Sequence, residues 1–267
     1  MVVPTRGRPA ELRRCLEAVA AQASADAFEI LVVDDGPSGS GAETAAGMAG
    51  ARVVRLGGRG PAAARNAGVA AATAPVVCFT DDDCEPAPGW LEALLAPIEA
   101  GAALAAGPTV VPESANAYDR ATQLIVDRLV SSSRSGFVPA SNLACARSLL
   151  LELPFDERYP LYGEDRDWCA RVHAAGHRYA WVAGAVVVHR PGLDLRGFLR
   201  KHERYGRGAL RFRRSRPPSS QRESMRFYSS LLGHAARAGG AVAALVWAAQ
   251  LATAAGLAHE ALAPSRD

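Results

Sequence analysis

Lysine is nearly absent from these 267 residues, so the 30 basic side chains are almost all arginine. With Ala and Gly abundant, that bias reads as genome composition, not mechanism. No large charge excess exists either. A net charge of +3 gives no electrostatic reason to expect a nucleic-acid partner. The five cysteines include no CxxC pair and are odd in number, which argues for free thiols in a reducing compartment. "MVVPTRGRPAELRR" lacks an apolar h-region, so no secretory signal is expected. No internal repeat is evident. What is present is core material: 49% hydrophobic and 21% charged residues, enough for one large domain or one domain with an appendage.

The first half alternates in pattern. "MVVPT", "FEILVVDDG", "ARVVRLG" and "PVVCFTDDD" read as buried strands. "AELRRCLEAVAAQ", "GAETAAGMAG", "GPAAARNAGVAAAT" and "GWLEALLAPIEA" read as helices, and "AALAAGPTVVP" as a further strand. That alternation predicts an α/β fold with a mostly parallel sheet. Ligands of such sheets bind beyond the carboxyl ends of the strands. Thr5, Asp34 with Asp35, and Asp81 to Asp83 all fall there. Further on, "AYDRATQLIVDRLVSSS" reads as a helix, "SGFVPASNLACARSLLLEL" as a loop entering a helix, and "RYAWVAGAVVVHR" as one strand ending near His189.

The stretch "VVCFTDDDCEP" places three adjacent carboxylates after a buried strand. They repel each other unless a cation sits among them. Asp81 and Asp83 share one side of an extended chain, a spacing that suits Mg²⁺ or Mn²⁺ held between protein and a diphosphate. A solvated acidic turn is the plainer reading. Asp35 in "VVDDG" suits a base or ribose contact, or an ordinary Asp-Gly turn. Arg65 in "GPAAARNAG" suits a phosphate or the aspartates themselves. "GEDRDW" puts Glu164, Asp165 and Asp167 at a helix start, where acids are favoured by the dipole and where a general base can also sit. His189 can join a metal already held by Asp.

In this order, "VVPTRGRPAELRRCLEAVAAQ", "EILVVDDG", "GPAAARNAG", "CFTDDDCEPAPGWLEAL" and "YGEDRDWCARVHAAG" resemble the family-2 glycosyltransferases, over roughly residues 1 to 200. The resemblance implies a GT-A fold, a Rossmann-like three-layer α/β/α architecture. It implies inverting transfer of a sugar from a nucleoside diphosphate sugar to an acceptor hydroxyl, assisted by Mg²⁺ or Mn²⁺. Carried across, it places Thr5 and Asp35 at the nucleoside and Arg65 beside the diphosphate. Asp83 becomes the direct metal ligand, with Asp81 at the metal and facing the ribose or sugar. His189 becomes a further metal ligand, and Asn142 in "PASNLA" a neighbour of the donor sugar. Asp165 becomes the catalytic base within the Glu164–Asp165 pair. Because Asp82 is also acidic, Asp82 with Asp83 is an alternative ligand pair.

The division expected is a catalytic domain over residues 1–216 and a helical extension over 217–267. Ala238 to Ala258 is uncharged for about 21 residues, the length of a bilayer span. It can span, lie on the membrane surface beside "RFRRSR", or simply cover the catalytic domain. A cytoplasmic location, at the cytoplasmic face of a membrane, fits a cytosolic nucleotide-sugar supply. A saccharide or lipid-linked acceptor is expected. Two other classes share these features: a non-catalytic nucleotide-sugar binding module, and a nucleotidyltransferase, for which "PTRGRP" is a thin match to a phosphate loop.

Overall fold

The computed structural model describes residues 1–23, 27–133, 136–215 and 225–263. The expected boundary at 216/217 lies outside the described residues.

Strands and helices alternate through the first half: β1 (Val2–Thr5), α1 (Pro9–Ala20), β2 (Leu31–Asp34), α2 (Ala42–Met48), β3 (Arg52–Arg55), α3 (Pro61–Ala71) and β4 (Val76–Phe79). Local chemistry explains this. Pro9 and Pro61 open α1 and α3, where an amide N–H would be unsatisfied anyway. Leu12, Cys15, Leu16 and Val19 make the single buried face of α1. Next come β5 (Cys84–Pro86), α4 (Trp90–Glu99), β6 (Leu104–Ala106), β7 (Thr109–Val110), α5 (Ala117–Ser132), β8 (Leu143–Ala146) and α6 (Arg147–Glu152). The chain then forms α7 (Glu164–Ala174), β9 (Tyr179–Trp181), β10 (Val187–His189), α8 (Leu195–Arg214), α9 (Met225–Arg237) and α10 (Gly240–Leu262).

The main sheet has the order β3-β2-β1-β4-β8-β6-β9, with β8 antiparallel to both neighbours and every other pairing parallel. One apolar cluster fills the side of Phe155 and Trp168, and another the side of Leu12 and Trp90. The result is the expected three-layer α/β/α architecture. A small sheet, β5-β10-β7, lies apart from it.

Three segments differ from the sequence reading. "LACA" is a central strand rather than loop. Its four residues carry no alternation, and it is a strand because β4 and β6 bond it from both sides. "AALAAGPTVVP" and "RYAWVAGAVVVHR" each divide between the two sheets, as β6 with β7 and β9 with β10. A turn joins the latter pair, with Ala185 N–H donating to Val182 O at 3.1 Å.

The C-terminal helices form a layer of their own. Phe198, Phe227, Leu231, Val242 and Val246 share a cluster with Ala121 and Ile125 of α5. α10 is long and apolar enough to cross a membrane by length and composition, yet it docks on α8. Gly206 and Gly256 permit that contact. A Cβ on Gly256 would lie 1.9 Å from the Glu203 carbonyl oxygen, and one on Gly206 would lie 2.0 Å from that of Thr253. Glu260 is buried and fastens the pair, accepting from Arg207 at 3.1 Å and Arg211 at 2.6 Å.

Candidate active site

β1, β2 and β4 are parallel, so their carboxyl ends reach one edge of the sheet. Thr5, Asp35 and Asp81 to Asp83 line a cavity of about 720 Å³ there, together with Arg8, Arg65, Glu164, Asp165 and His189. Long-range folding gathers these groups. Arg65 and Glu164 are 99 residues apart, and Arg8 and Asp82 are 74 apart.

Two arginines neutralise the triple aspartate. Arg8, which the sequence reading did not single out, donates through Nε to Asp82 at 3.2 Å and through Nη1 to Asp83 at 2.7 Å. It also pairs with the other Asp82 oxygen through Nη2. Thr5 Oγ1 donates to Asp82 at 2.7 Å. Arg65 bridges Asp81 at 2.9 Å and Glu164 at 2.8 Å, over the ring of Phe155. Arg8 lies just beyond β1 in "PTRGRP", so the rule that strand ends carry the site was the available signal for it.

Each aspartate therefore has its own environment. Asp82 is fully buried, and burial pushes its carboxyl up to about 7 despite Arg8. Burial would raise Asp83 as well, but His189, Arg8 and Lys201 outweigh it and hold it well below the carboxylate range. Asp81 is half-buried and committed to Arg65.

Asp35 anchors a loop. Its carboxylate accepts from the N–H groups of Gly58 at 2.7 Å, Arg59 at 2.6 Å and Gly60 at 2.8 Å, and it borders the cavity. Asp34 is withdrawn from the site. It closes its own turn with Gly36 N–H at 2.9 Å and Ser40 Oγ at 2.6 Å.

Antiparallel pairing of β10 with β5 sets His189 opposite Cys84. His189 Nε2 thereby lies 3.5 Å from Asp83 Oδ1. Among the described residues, Asp83, Cys84 and His189 offer donor atoms that all lie within 4.8 Å of one another. Burial holds the Cys84 thiol protonated, far above its usual range, so the serviceable donors are one oxygen and one nitrogen. That pair fits a hard or borderline divalent ion that completes its shell from ligand and water. Asp81, also expected as a ligand, is not in this group and pairs with Arg65 at 2.9 Å.

Glu164 and Asp165 begin α7. Burial, with the charge of Asp165, pushes Glu164 up to about 7 while Arg65 opposes. Burial likewise raises Asp165, again against Arg65. Asp165 Oδ1 accepts from Arg166 N–H at 2.7 Å and faces the cavity.

Asn142 is not brought to the cavity. Its Oδ1 accepts from Trp90 Nε1 at 2.8 Å, and its Nδ2 donates to Pro108 O at 3.0 Å and Ala185 O at 2.8 Å. Both amide hydrogens are spent and the residue is buried. The expected contact with a donor sugar is replaced by a joint between the two sheets.

The layer order and the polar carboxyl edge of the sheet are those of the GT-A fold. Residues 1–149 match the sequence profile of "Glycosyl transferase family 2", and the chain belongs to that family. It is 30% identical over 223 residues to the pre-mycofactocin glycosyltransferase of Mycobacterium tuberculosis, covering 78% of this chain and 46% of that protein. The chain thus spans about half the length of that relative. It is 24% identical to glycosyltransferase AglE of Haloferax volcanii, covering 79% of this chain and 72% of AglE. Two solved structures share the fold. The mannosyltransferase PcManGT of Pyrobaculum calidifontis, in complex with GDP-Man and Mn²⁺, has TM-score 0.61 and 22% identity over 99% of this chain and 75% of its own. Glucosyl-3-phosphoglycerate synthase of M. tuberculosis, in complex with Mn²⁺, UDP-Glc and phosphoglyceric acid, has TM-score 0.55 and 25% identity over 71% of this chain and 70% of its own.

Proposed function

We infer that this chain transfers a sugar, with inversion, from a nucleoside diphosphate sugar to an acceptor hydroxyl. The observation that carries the reading is the convergence of Asp83 with His189, Arg65, and Glu164 with Asp165 on one cavity at the carboxyl edge of the sheet. The structural relatives hold UDP-Glc or GDP-Man with Mn²⁺, which supports the donor class and the divalent ion.

Thr5 and Asp35 border the nucleoside end. Asp83 and His189 would hold Mg²⁺ or Mn²⁺, and the ion supplies Lewis-acid neutralisation of the diphosphate, worth several kcal/mol in such sites. Arg65 fixes Asp81 and Glu164 in place. Asp165 takes the proton of the acceptor hydroxyl as the new bond from oxygen to the anomeric carbon forms. The bond from that carbon to the diphosphate oxygen breaks on the opposite face, and the nucleoside diphosphate leaves. A carboxylate raised above its usual pKa is the stronger base for this step, with a contribution of about 10²–10⁴-fold. The free diphosphate is the signature that separates this reaction from nucleotidyl transfer, which releases pyrophosphate.

Donor turnover, read as release of nucleoside diphosphate, tests the assignment. Asp83→Ala is expected to abolish it together with Mn²⁺-dependent binding of the nucleoside diphosphate. Asp165→Asn is expected to keep binding and lose turnover. Full activity in both variants overturns the reading. The residue 1–216 catalytic unit is expected to work at the cytoplasmic face of a membrane, with α10 on the surface rather than across the bilayer. The Glu260 pairs of α10 with α8 support the surface arrangement. Carbonate washing that leaves all the protein soluble from the outset contradicts it.

A further inference from the structure

α8 roofs the Glu164–Asp165 pair. A Cβ on Gly208 would lie 2.3 Å from the Tyr162 carbonyl oxygen, so the helix passes in backbone contact over the start of α7. One turn away on either side stand Tyr205, in edge contact with Tyr162 at 4.7 Å, and Phe212, under the Arg166 guanidinium at 4.8 Å. The face of α8 that lines the cavity includes Arg200, Lys201, Arg204, Tyr205, Gly208 and Phe212, which is helical spacing.

That face carries cations without acids. The one acid of α8, Glu203, is turned toward α10, where it meets His259 at 3.0 Å. Arg207 and Arg211 also turn that way, to Glu260. Arg200, Lys201 and Arg204 form no ion pair among the described residues. Arg200 and Arg204 stand at i and i+4, where like charges repel. The aspartate pole already has Arg8 and Arg65 as ion-pair partners, and Lys201 adds its charge at Asp83, which leaves Arg200 and Arg204 without an ion-pair partner there. A polyanion removes that repulsion.

α5 gives the same cavity three apolar side chains, Ile125, Val126 and Leu129, beyond its polar Asp119, Thr122 and Gln123; Phe137, and Phe227 of α9, add to them. Gln250 of α10 also lines it. One helical turn from Gln250, Trp247 is 57% exposed, and next to it Leu251 is 71% exposed. Gln250 thus joins the cavity to an exposed apolar strip of α10.

Resting on the glycosyltransferase reading, we propose that the acceptor is a lipid phosphate. Its phosphate sits on Arg200, Lys201 and Arg204, and its apolar chain leaves along α5 and α9 toward Trp247. Cations in a partly dry cavity bind phosphate by charge-assisted hydrogen bonds, and an exposed Trp with Leu suits a bilayer interface.

The test is flotation of the full chain with phosphatidylcholine vesicles, plain or doped with polyprenyl phosphate or with neutral polyprenol. The expected result is binding to the phosphate-doped vesicles at least about tenfold tighter than to the other two. The Arg200→Ala, Arg204→Ala double variant loses that preference. Thermal stabilisation by UDP or GDP with Mn²⁺ is retained in the variant, so failure of the lipid proposal is separable from failure of the donor reading. Equal binding to all three vesicles overturns the proposal. So does a double variant that loses nucleoside diphosphate binding and keeps the vesicle preference, because the arginines then serve the donor. Glycerol 3-phosphate that competes as well as polyprenyl phosphate also overturns it, because the chain then contributes nothing. Trp247→Ser, outside the packed face, tests the exit independently of the cations: vesicle binding weakens with folding intact.

Discussion

The sheet edge and the C-terminal helical layer hold their buried titratable groups differently. At the edge Asp82 is paired with Arg8 and Glu164 with Arg65 over long range, while Asp35 is held by three backbone N–H groups. In the helical layer Glu260 is paired with Arg207 and Arg211, but His202 is buried with Thr122 Oγ1 at 3.2 Å and the rings of Phe198 and Tyr205 around it. The edge thus gathers several charges on one cavity, whereas the layer holds one ion cluster and a neutral imidazole. Buried carboxylates that face a cavity are costly without a cation or N–H donors beside them. The seam of α8 and α10 packs on backbone contact at Gly206 and Gly256 and is closed by the Glu260 pairs.

Removing a counter-ion gives the largest effect expected. Arg65→Met leaves Asp81 and Glu164 facing a cavity uncompensated. Breaking a buried pair costs about 3–5 kcal/mol, and the lower end is expected because Glu164 can take up a proton. Urea denaturation measures it, and Arg65→Lys should recover part of the loss. Gly256→Leu attacks the other region. Its side chain meets the Glu203 backbone, and overpacking of this kind costs about 1–3 kcal/mol. Limited proteolysis should release α9 and α10 while UDP or GDP binding persists.

Acid separates the regions by sign. Burial lowers His202 to about 3, with Lys201 adding to the effect. The folded state then binds this proton less well than the unfolded state, so stability is full above pH 6.5 and falls as pH drops toward 3. Between pH 6.5 and 5 the loss is on the order of 2 kcal/mol. Glu164 goes the other way. Its pKa rises from 4.5 to about 7, so it favours the folded state at low pH and loses that contribution as pH rises through this window. Hydrogen exchange at pH 5 should therefore show α8 and α10 opening before the sheet. His202→Phe should abolish the difference, and Glu164→Gln should flatten the opposing slope.

The smallest change tests a residue that belongs to neither region's chemistry. Asn142→Ala orphans the Trp90 N–H and two carbonyls, a loss of about 1–2 kcal/mol. If Asn142 serves only as a joint, the donor KM stays unchanged. A raised KM with unchanged stability would restore the sugar contact expected from sequence.

Much of the fold was readable because its signals are local. The alternation of Val-rich runs with amphipathic helices located β1 to β4 and the edge where Thr5, Asp35 and Asp81 to Asp83 gather. β8 was not readable, since "LACA" has strand character only between two partners. The site divides in the same manner. Residue type and strand ends marked Asp83, Arg65, Glu164, Asp165 and His189. They gave no account of which carboxylate meets which cation.

Sequence alone determined the layer order of the first half, the family resemblance and the set of candidate carboxylates, because each depends on neighbours in the chain. Tertiary structure decided the rest. It set Arg8 against Asp82 and Asp83, paired Asp81 with Arg65, took Asn142 into the joint between sheets, and turned three cations of α8 toward the cavity. Those outcomes rest on contacts between segments dozens of residues apart, and only the closed fold fixes such distances.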